Sequence, residues 1–163
     1  MSGIKELFMN SVNLIIYDFD GIMTDNRVYV DQNGNETVQV NRADGLGVAE
    51  IKKLGFEQLI VSTETNPVVS VRAKKLDLPC LQGVKNKSLS IAEYCKKKRI
   101  SMSKVAYVGN DINDFEAMKL VGTTFCSADA HQKIKQISYH VLVSKGGEGV
   151  VREILDILTY ERK

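Results

Sequence analysis

The sequence has few cysteines, little net charge and no long apolar run, and each shortage excludes a class of protein. Its 163 residues include three cysteines, an odd number without the spacing of metal ligands, which argues against a disulfide framework and a cysteine metal site. The net charge of +2, from 22 basic and 20 acidic residues, is too balanced for a dedicated nucleic-acid-binding protein. No apolar run reaches the roughly 18 residues that cross a membrane. We therefore expect partners that include neither nucleic acid nor a membrane.

The rest of the composition is typical of one globular domain. Hydrophobic residues make up 44% and charged residues 26% of the chain, which are ordinary values for a soluble protein. A length of 163 residues fits a single domain over residues 1–163, since domains commonly have roughly 100–200 residues. The first ten residues, MSGIKELFMN, lack the long apolar segment of a signal peptide. We expect a cytoplasmic protein whose cysteines are reduced.

Apolar runs typical of strands alternate with segments of helical periodicity along the chain. Continuous apolar runs predict buried parallel strands at Val12–Asp18, Gln58–Ser62, Lys104–Gly109, Thr123–Cys126 and Tyr139–Val143. Helical patterns lie at Leu46–Leu54, Pro67–Leu76, Lys87–Lys98, Asp111–Leu120, His131–Gln136 and Gly149–Tyr160. This alternation predicts an α/β fold with a doubly wound parallel sheet.

The segment Arg27–Val40 interrupts the alternation of strands and helices. Its sequence, RVYVDQNGNETVQV, has an alternating apolar and polar stretch on each side of Asn33-Gly34, a pair that strongly favours a hairpin turn. A two-stranded hairpin is only marginally stable by itself. The predicted protruding hairpin is therefore either a decoration of the fold or an element of assembly.

Polar side chains follow the predicted strands at the edge where a doubly wound sheet binds its ligands. The first strand ends in the segment DFDG, and the third ends in the segment GNDIND. The polar residues at this edge are Asp18, Asp20, Ser62, Thr63, Lys87 and the segment Gly109–Asp114. The sequence thus predicts that carboxylates, a hydroxyl and an amine meet in one place.

This combination of residue types suits phosphoryl transfer. Clustered carboxylates favour a hard cation such as magnesium. One carboxylate can attack phosphorus and form an aspartyl phosphate, while a second protonates the leaving alcohol and then activates water. A hydroxyl and an ammonium group can hold the equatorial oxygens of the phosphoryl group. The residues favour an enzyme over a binding module.

The segment Asp18–Asp25 (DFDGIMTD), Ser62, Lys87 and GNDIND resemble, in this order, the four motifs of the haloacid dehalogenase superfamily of phosphotransferases. Three further segments, VNRADGLG, LQGVKNK and GGEGVVRE, resemble the capless 3-deoxy-octulosonate 8-phosphate phosphatase group. That group includes phosphatases of nine-carbon sialic-acid-type sugars and the phosphatase-like tail of animal sialic acid cytidylyltransferases.

The resemblance implies a Rossmann-like domain without a cap domain, a bound magnesium ion, and a homotetramer that assembles through the hairpin. The implied activity is hydrolysis of a 2-keto-3-deoxy sugar acid phosphate. The substrate is then 3-deoxy-octulosonate 8-phosphate or a nonulosonate 9-phosphate, sugars of lipopolysaccharide or sialic acid biosynthesis.

The resemblance also assigns roles to the motif residues. Asp18 is implied to be the nucleophile and a metal ligand. Asp20 is implied to be the general acid and base, with its backbone carbonyl as a further metal ligand. Ser62, Thr63 and Lys87 are implied to bind the phosphate group.

The acidic motif departs from the family pattern at Asn110. This position is usually an aspartate metal ligand, and the amide oxygen of Asn110 can bind magnesium but removes one negative charge. Asp111 is a candidate to compensate, either as a direct ligand or through water. Asp114 is implied to have a supporting role in the loop.

The segment after the second strand departs from the pattern of the octulosonate enzymes. They usually have Thr-Gly-Arg where this chain has Ser62-Thr63-Glu64. An arginine could pair with a sugar carboxylate, whereas the ionised Glu64 only accepts hydrogen bonds. Glutamate here resembles the nonulosonate-type relatives, in which case Arg72 or Lys75 would bind the substrate carboxylate. The sequence therefore favours a nine-carbon sugar acid.

Two other functions agree with parts of the sequence. A phosphate-sensing receiver domain also has clustered acids and a lysine, but its phosphorylated aspartate follows a middle strand where this chain has Ser62. A non-catalytic assembly module, related to the tail domain of the cytidylyltransferases, agrees with Asn110. The presence of Asp18, Asp20 and Lys87 favours the enzyme over both.

Overall fold

The structure of the protein is a computed structural model, and it describes residues 3, 6 and 10–159. The strands are Leu14–Tyr17 (β1), Tyr29–Val30 (β2), Glu36–Thr37 (β3), Glu57–Val61 (β4), Cys80–Leu81 (β5), Val105–Gly109 (β6), Thr123–Cys126 (β7) and His140–Val141 (β8). The helices are Arg42–Lys53 (α1), Val68–Lys75 (α2), Lys87–Lys98 (α3), Phe115–Met118 (α4), Gln132–Ile137 (α5) and Val150–Thr159 (α6). Short 3₁₀-helices cover Met102–Lys104 and Ile112–Asp114.

Six of the strands form a parallel sheet with the order β5-β4-β1-β6-β7-β8. Strand β1 lies at the centre, where Leu14 pairs with Glu57 of β4 on one side and with Val105 of β6 on the other. The strand order reverses between β1 and β6. Doubly wound sheets bind their ligands outside the carboxyl ends of the strands at this reversal. The predicted α/β fold with a doubly wound parallel sheet is confirmed.

Apolar side chains cover both faces of the sheet. On one face, α1, α2 and α6 bury side chains such as Val48, Val69 and Ile154. On the other face, α3, α4 and α5 bury side chains such as Ile91 and Ile134. Burial on both faces explains why the strands read as continuous apolar runs. None of the helices in the described part of the chain is long and apolar enough to cross a membrane.

Helices α1 and α6 lie in close contact. A Cβ atom at Gly47 of α1 would lie 3.1 Å from the carbonyl oxygen of Val151, so glycine permits this approach. The buried carboxylate of Asp44 accepts a hydrogen bond of 3.1 Å from the backbone N–H of Arg152. The Asp44 side chain of α1 thus caps the first turn of α6, where a negative charge is favourable.

The hairpin predicted at Arg27–Val40 is present as the two-stranded sheet β2–β3. Its loop holds three residues, 32–34, between Asp31 and Asn35, and Gly34 has the left-handed backbone conformation that such loops require. Val28, Tyr29 and Val30 are 50%, 71% and 62% exposed. The hairpin therefore presents apolar side chains to its surroundings.

The helix and strand bounds differ from the sequence prediction in several places. The helix predicted at Asp111–Leu120 begins as a 3₁₀-helix and continues as α4 only to Met118. Helix α1 begins earlier than predicted, because the side chain of Asn41 accepts a hydrogen bond from Ala43 N and caps it. The sequence does not predict β5, which has two residues. The predicted end of the last helix, Tyr160, lies outside the described residues.

Candidate active site

The carboxyl ends of β1, β4 and β6 surround a cleft of about 430 Å³. Its lining residues follow these strands in sequence: Asp18, Asp20, Asn26, Ser62, Thr63, Asn110, Asp111, Ile112 and Asn113. A volume of this size is typical of a small-molecule site. The structure thus brings predicted residues from three separate motifs into one cleft.

Lys87 lies between two carboxylates next to this cleft. Its Nζ atom is 2.7 Å from Asp18 Oδ1 and 2.7 Å from Asp114 Oδ1. The three side chains are at most 6% exposed. Lys87 is the first residue of α3, and the cap Asn86, which accepts a hydrogen bond from Leu89 N, fixes the helix start. The start of a helix therefore places a buried ammonium group beside the proposed nucleophile.

Asp114 accepts hydrogen bonds through both of its carboxylate oxygens. Besides Lys87, Oδ1 accepts a bond of 2.6 Å from the hydroxyl of Tyr107. Oδ2 accepts bonds of 2.9 Å and 3.2 Å from the backbone N–H groups of Asn110 and Asp111. Asp114 therefore fixes both Lys87 and the backbone of the acidic loop.

The protonation of this cluster follows from burial and charge. Burial and the charge of Asp114 raise the pKa of Asp18 to about 8, although Lys87 acts in the opposite direction. Burial lowers the pKa of Lys87, but Asp18 and Asp114 outweigh this effect and raise it overall, so the ammonium stays protonated. With both carboxylates ionised, two negative charges and one positive charge leave one negative charge. A cation near Asp18 would compensate for that charge.

Three groups that suit a cation converge beside Asp18. One terminal atom of the Asn110 amide lies 3.0 Å from the backbone carbonyl oxygen of Asp20 and 3.2 Å from Asp18 Oδ2. When nitrogen occupies this position, it donates a hydrogen bond to both oxygens. When the amide is rotated, its oxygen joins the carbonyl and the carboxylate in an all-oxygen set, which magnesium prefers. In the described residues no three His, Cys, Asp or Glu side chains form a metal site, so this set needs the carbonyl and the amide.

Glycines allow the loop after β1 to approach its neighbours closely. A Cβ atom at Gly21, which has a φ of 79°, would collide with the side chain of Asn110. A Cβ atom at Gly146 would collide with the carbonyl of Gly21, and one at Gly147 would lie 2.6 Å from Asp25 N. The loop Gly146-Gly147 therefore packs against the DFDG segment and holds it in place.

Asp20 lies at the cleft and is half-buried. Burial and the nearby charge of Glu64 raise its pKa, against the effect of a hydrogen bond from Thr24. The Thr24 hydroxyl lies 3.5 Å from Asp20 Oδ1 and also accepts a bond of 3.2 Å from Gly21 N. A carboxyl group with a raised pKa is suited to give and take a proton.

The loop after β4 brings hydroxyl groups to the same cleft. Ser62 is buried, and its Oγ atom accepts a hydrogen bond of 3.1 Å from Glu64 N. Thr63 lines the cleft. The Glu64 carboxylate accepts bonds from the backbone N–H groups of Thr65 and Asn66, at 2.6 Å and 2.8 Å. Glu64 therefore stabilises its own loop, and its negative charge also raises the pKa of Asp20.

The predicted carboxylate-binding residues lie on α2. Arg72 donates a hydrogen bond of 3.0 Å from Nη2 to the backbone carbonyl of Asn41, and its Nε atom is buried without a partner in the structure. Lys75 is exposed. Neither residue lines the cleft, so their binding of a substrate carboxylate remains a prediction.

Several residues at the cleft were not singled out by the sequence. Asn26 lines it from the end of the loop after β1, in a left-handed conformation with a φ of 65°. Ile112 and Asn113 also line it, and Ile112 is 48% exposed. The position of these three residues inside or next to two recognised motifs is the only signal for them that the sequence carries. Asp111, which the sequence does name as a candidate metal ligand, also lines the cleft and forms a capping box with Asp114 at the start of the 3₁₀-helix.

Comparison with known proteins agrees with this site. Residues 4–154 match the family model of the haloacid dehalogenase-like hydrolases. The 3-deoxy-D-manno-octulosonate 8-phosphate phosphatase KdsC of Escherichia coli K12 is 33% identical over 149 residues, which is 91% of this chain and 79% of the relative.

Solved structures show the same fold. A hydrolase of this family from Streptomyces avermitilis MA-4680 has a TM-score of 0.90 and 41% identity, with 92% of this chain and 86% of that chain covered. The 3-deoxy-D-manno-octulosonate 8-phosphate phosphatase from Moraxella catarrhalis, solved with a magnesium ion, a phosphate ion and KDO, has a TM-score of 0.90 and 28% identity, with 97% and 91% covered. The sequence, the fold and the arrangement of the four motifs together place this chain in the haloacid dehalogenase-like hydrolase family.

Proposed function

We propose that the protein is a magnesium-dependent phosphatase that hydrolyses a 2-keto-3-deoxy sugar acid phosphate through an aspartyl phosphate on Asp18. The observation that carries this proposal is the contact of Asp18 with Lys87 at a cleft that Asp20 and Ser62 also line. The candidates for nucleophile, proton donor and phosphate-binding groups thus lie in or next to one small-molecule cleft. The match to octulosonate phosphatases supports the class of substrate.

In the first half of the reaction, a carboxylate oxygen of Asp18 attacks phosphorus, and the bond from phosphorus to the sugar oxygen breaks. Asp20 gives its proton to that oxygen, so the sugar acid leaves as an alcohol. In the second half, Asp20 takes a proton from water while the water oxygen attacks phosphorus. Inorganic phosphate forms, and the Asp18 carboxylate and the protonated Asp20 are restored.

The phosphoryl group needs positive charge and hydrogen-bond donors around its oxygens. The ammonium group of Lys87 and the hydroxyl groups of Ser62 and Thr63 supply them from two loops. Magnesium would be held by the Asp18 carboxylate, the Asp20 carbonyl and Asn110, with Asp111 as a further candidate. When bound, it supplies positive charge that offsets the charge of the carboxylates and of the phosphoryl oxygens.

Replacement of the nucleophile should abolish turnover without unfolding the protein. An Asp18→Asn side chain cannot attack phosphorus, and we expect kcat for an aryl phosphate to fall by about 10³-fold or more. Circular dichroism should remain that of the parent. The exposed Asp77 offers a matched control, since Asp77→Asn makes the same change far from the cleft and should leave kcat unchanged. Activity of Asp18→Asn within tenfold of the parent would contradict the assignment.

Activity should require a divalent cation and return with magnesium after chelation. Asn110→Asp adds a charge to the proposed ligand set, and we expect the magnesium concentration for half-maximal activity to fall about tenfold, which equals roughly 1.4 kcal/mol. Asn113→Asp adds the same charge on the cleft wall, outside the proposed set, and should give a smaller change. Equal effects of the two variants, or no effect of Asn110→Asp, would exclude Asn110 from the ligands.

We infer that the substrate is a nine-carbon rather than an eight-carbon sugar acid. Glu64 supports this, because its carboxylate lies near enough to Asp20 to raise the pKa of that group and would repel a substrate carboxylate placed there. It can instead accept hydrogen bonds from the hydroxyl groups of a longer chain. Arg72 and Lys75 are proposed to meet the substrate carboxylate.

The preference for one sugar is measured as a ratio of two kcat/KM values, that for a nine-carbon 9-phosphate divided by that for 3-deoxy-octulosonate 8-phosphate. The parent should prefer the nine-carbon sugar. Glu64→Arg should narrow or reverse the preference, because its effect on the pKa of Asp20 acts on both sugars and cancels in the ratio. Glu64→Gln removes the negative charge but keeps the size of the side chain. It therefore shows whether charge repulsion or the shape of the side chain sets the preference. A parent that prefers the octulosonate about tenfold would show that Glu64 does not set the choice.

We further propose that four copies of the chain assemble through the hairpin. The exposed Val28, Tyr29 and Val30 support this, because a two-stranded hairpin with apolar side chains is stabilised by a partner. Light scattering should give the mass of a tetramer for the parent. Deletion of residues 29–38, bridged by glycine, should give smaller species. A monomeric parent at micromolar concentration would contradict the proposal.

A further inference from the structure

Tyr107 is a buried tyrosine whose hydroxyl belongs to the charged cluster. Its side chain is fully buried in the middle of β6, and its hydroxyl donates to Asp114 Oδ1 at 2.6 Å. The same oxygen lies 2.7 Å from Lys87 Nζ. Because Asp114 Oδ2 accepts two backbone N–H groups, each oxygen of this carboxylate has two donors. The hydroxyl thus completes the hydrogen bonding of Asp114.

We propose that Tyr107 is a positioning residue for phosphoryl transfer, which acts through Asp114 to keep Lys87 available to Asp18 and to the phosphoryl group. The inference rests on the proposed function, since Lys87 has this task only in a phosphate site. Tyr107 does not line the cleft, so it touches neither substrate nor the reacting atoms.

The physical reason is competition for one carboxylate oxygen. Tyr107 and Lys87 both donate to Asp114 Oδ1, so each hydrogen bond weakens the other. The Nζ atom of Lys87 also contacts Asp18 Oδ1, at 2.7 Å, the distance that separates it from Asp114 Oδ1. Without the hydroxyl, Oδ1 has one donor left, and the ion pair of Lys87 with Asp114 strengthens. Lys87 is then drawn towards Asp114 and away from the groups that react.

A second buried tyrosine shows what a purely structural hydroxyl does. Tyr17 of β1 is also fully buried, and its hydroxyl donates to Gln58 Oε1 at 3.0 Å. Gln58 in turn donates to the backbone carbonyl of Val48 at 3.0 Å. These partners are neutral and belong to the opposite face of the sheet from Tyr107. Tyr17→Phe is therefore the matched control for Tyr107→Phe.

The experiment compares Tyr107→Phe, Tyr17→Phe and the parent in hydrolysis of p-nitrophenyl phosphate with magnesium. A second measurement gives the dissociation constant of inorganic phosphate in the presence of magnesium. Tyr107→Phe should lower kcat/KM about tenfold and weaken phosphate binding several-fold, since small displacements in a site have effects of this size. Tyr17→Phe should change both by less than about twofold, although both variants lose a buried hydrogen bond. A merely structural role of Tyr107 would leave phosphate binding unchanged.

A double variant tests whether Tyr107 acts through Asp114. If it does, adding Tyr107→Phe to Asp114→Asn should cause no further loss of phosphate binding or of kcat/KM. Additive losses would overturn the proposal, as would a Tyr107→Phe variant within twofold of the parent in both measurements. Equal losses in Tyr17→Phe would also overturn it. A parent that binds phosphate but does not hydrolyse the ester would contradict the proposed function alone, and the phosphate constants would still decide the role of Tyr107.

Discussion

The contact of Lys87 with Asp18 and Asp114 is the interaction on which the site depends. A buried ammonium group is stable only where charged partners replace water, and both carboxylates lie 2.7 Å from Lys87 Nζ. Loss of one partner from a buried ion pair costs about 3–5 kcal/mol. Because the three residues come from the end of β1, the start of α3 and the 3₁₀-helix after β6, their contact also joins three separate parts of the fold.

Because Lys87 contacts one oxygen of Asp18, the two oxygens of this carboxylate have different partners. Oδ1 accepts hydrogen bonds from Lys87 and from Phe19 N, whereas Oδ2 faces the amide of Asn110. Once Asp18 is ionised, one negative charge is left over in the cluster, and it favours a cation on the side of Asn110. A phosphate ester, which is itself an anion, is then bound only where the ammonium group and a cation both compensate for its charge. The charges that the fold brings together at this cluster therefore favour the binding of magnesium and of a phosphorylated substrate.

The sequence predicts the elements that carry strong local signals. Helix α3, at Lys87–Lys98, and strand β7, at Thr123–Cys126, have the predicted bounds, because periodicity, a cap or a continuous apolar run defines them. The neighbouring ends of β1, β4 and β6 also follow from the order of strands and helices. Strand β5 is too short to produce a periodic pattern. The helix expected from Asp111 begins as the 3₁₀-helix that Asp111 and Asp114 cap, and α4 then ends at Met118.

The part of the site that the sequence does not predict depends on contacts between distant or strongly bent segments. Tyr107 lies in an apolar run and is indistinguishable there from a core residue, since its contact with Asp114 exists only once the 3₁₀-helix turns back. The orientation of Arg72 towards Asn41 likewise depends on how α2 meets α1.

Chemical trapping of the covalent intermediate tests the role of Asp18 most directly. The enzyme is mixed with a phosphate ester and magnesium, quenched with acid during turnover, and reduced with borohydride, which converts an acyl phosphate into an alcohol. Mass spectrometry of the digested chain should find the reduced residue at Asp18 and an unchanged Asp20. Reduction at Asp20, or at no aspartate while the ester is being hydrolysed, would contradict the aspartyl phosphate on Asp18.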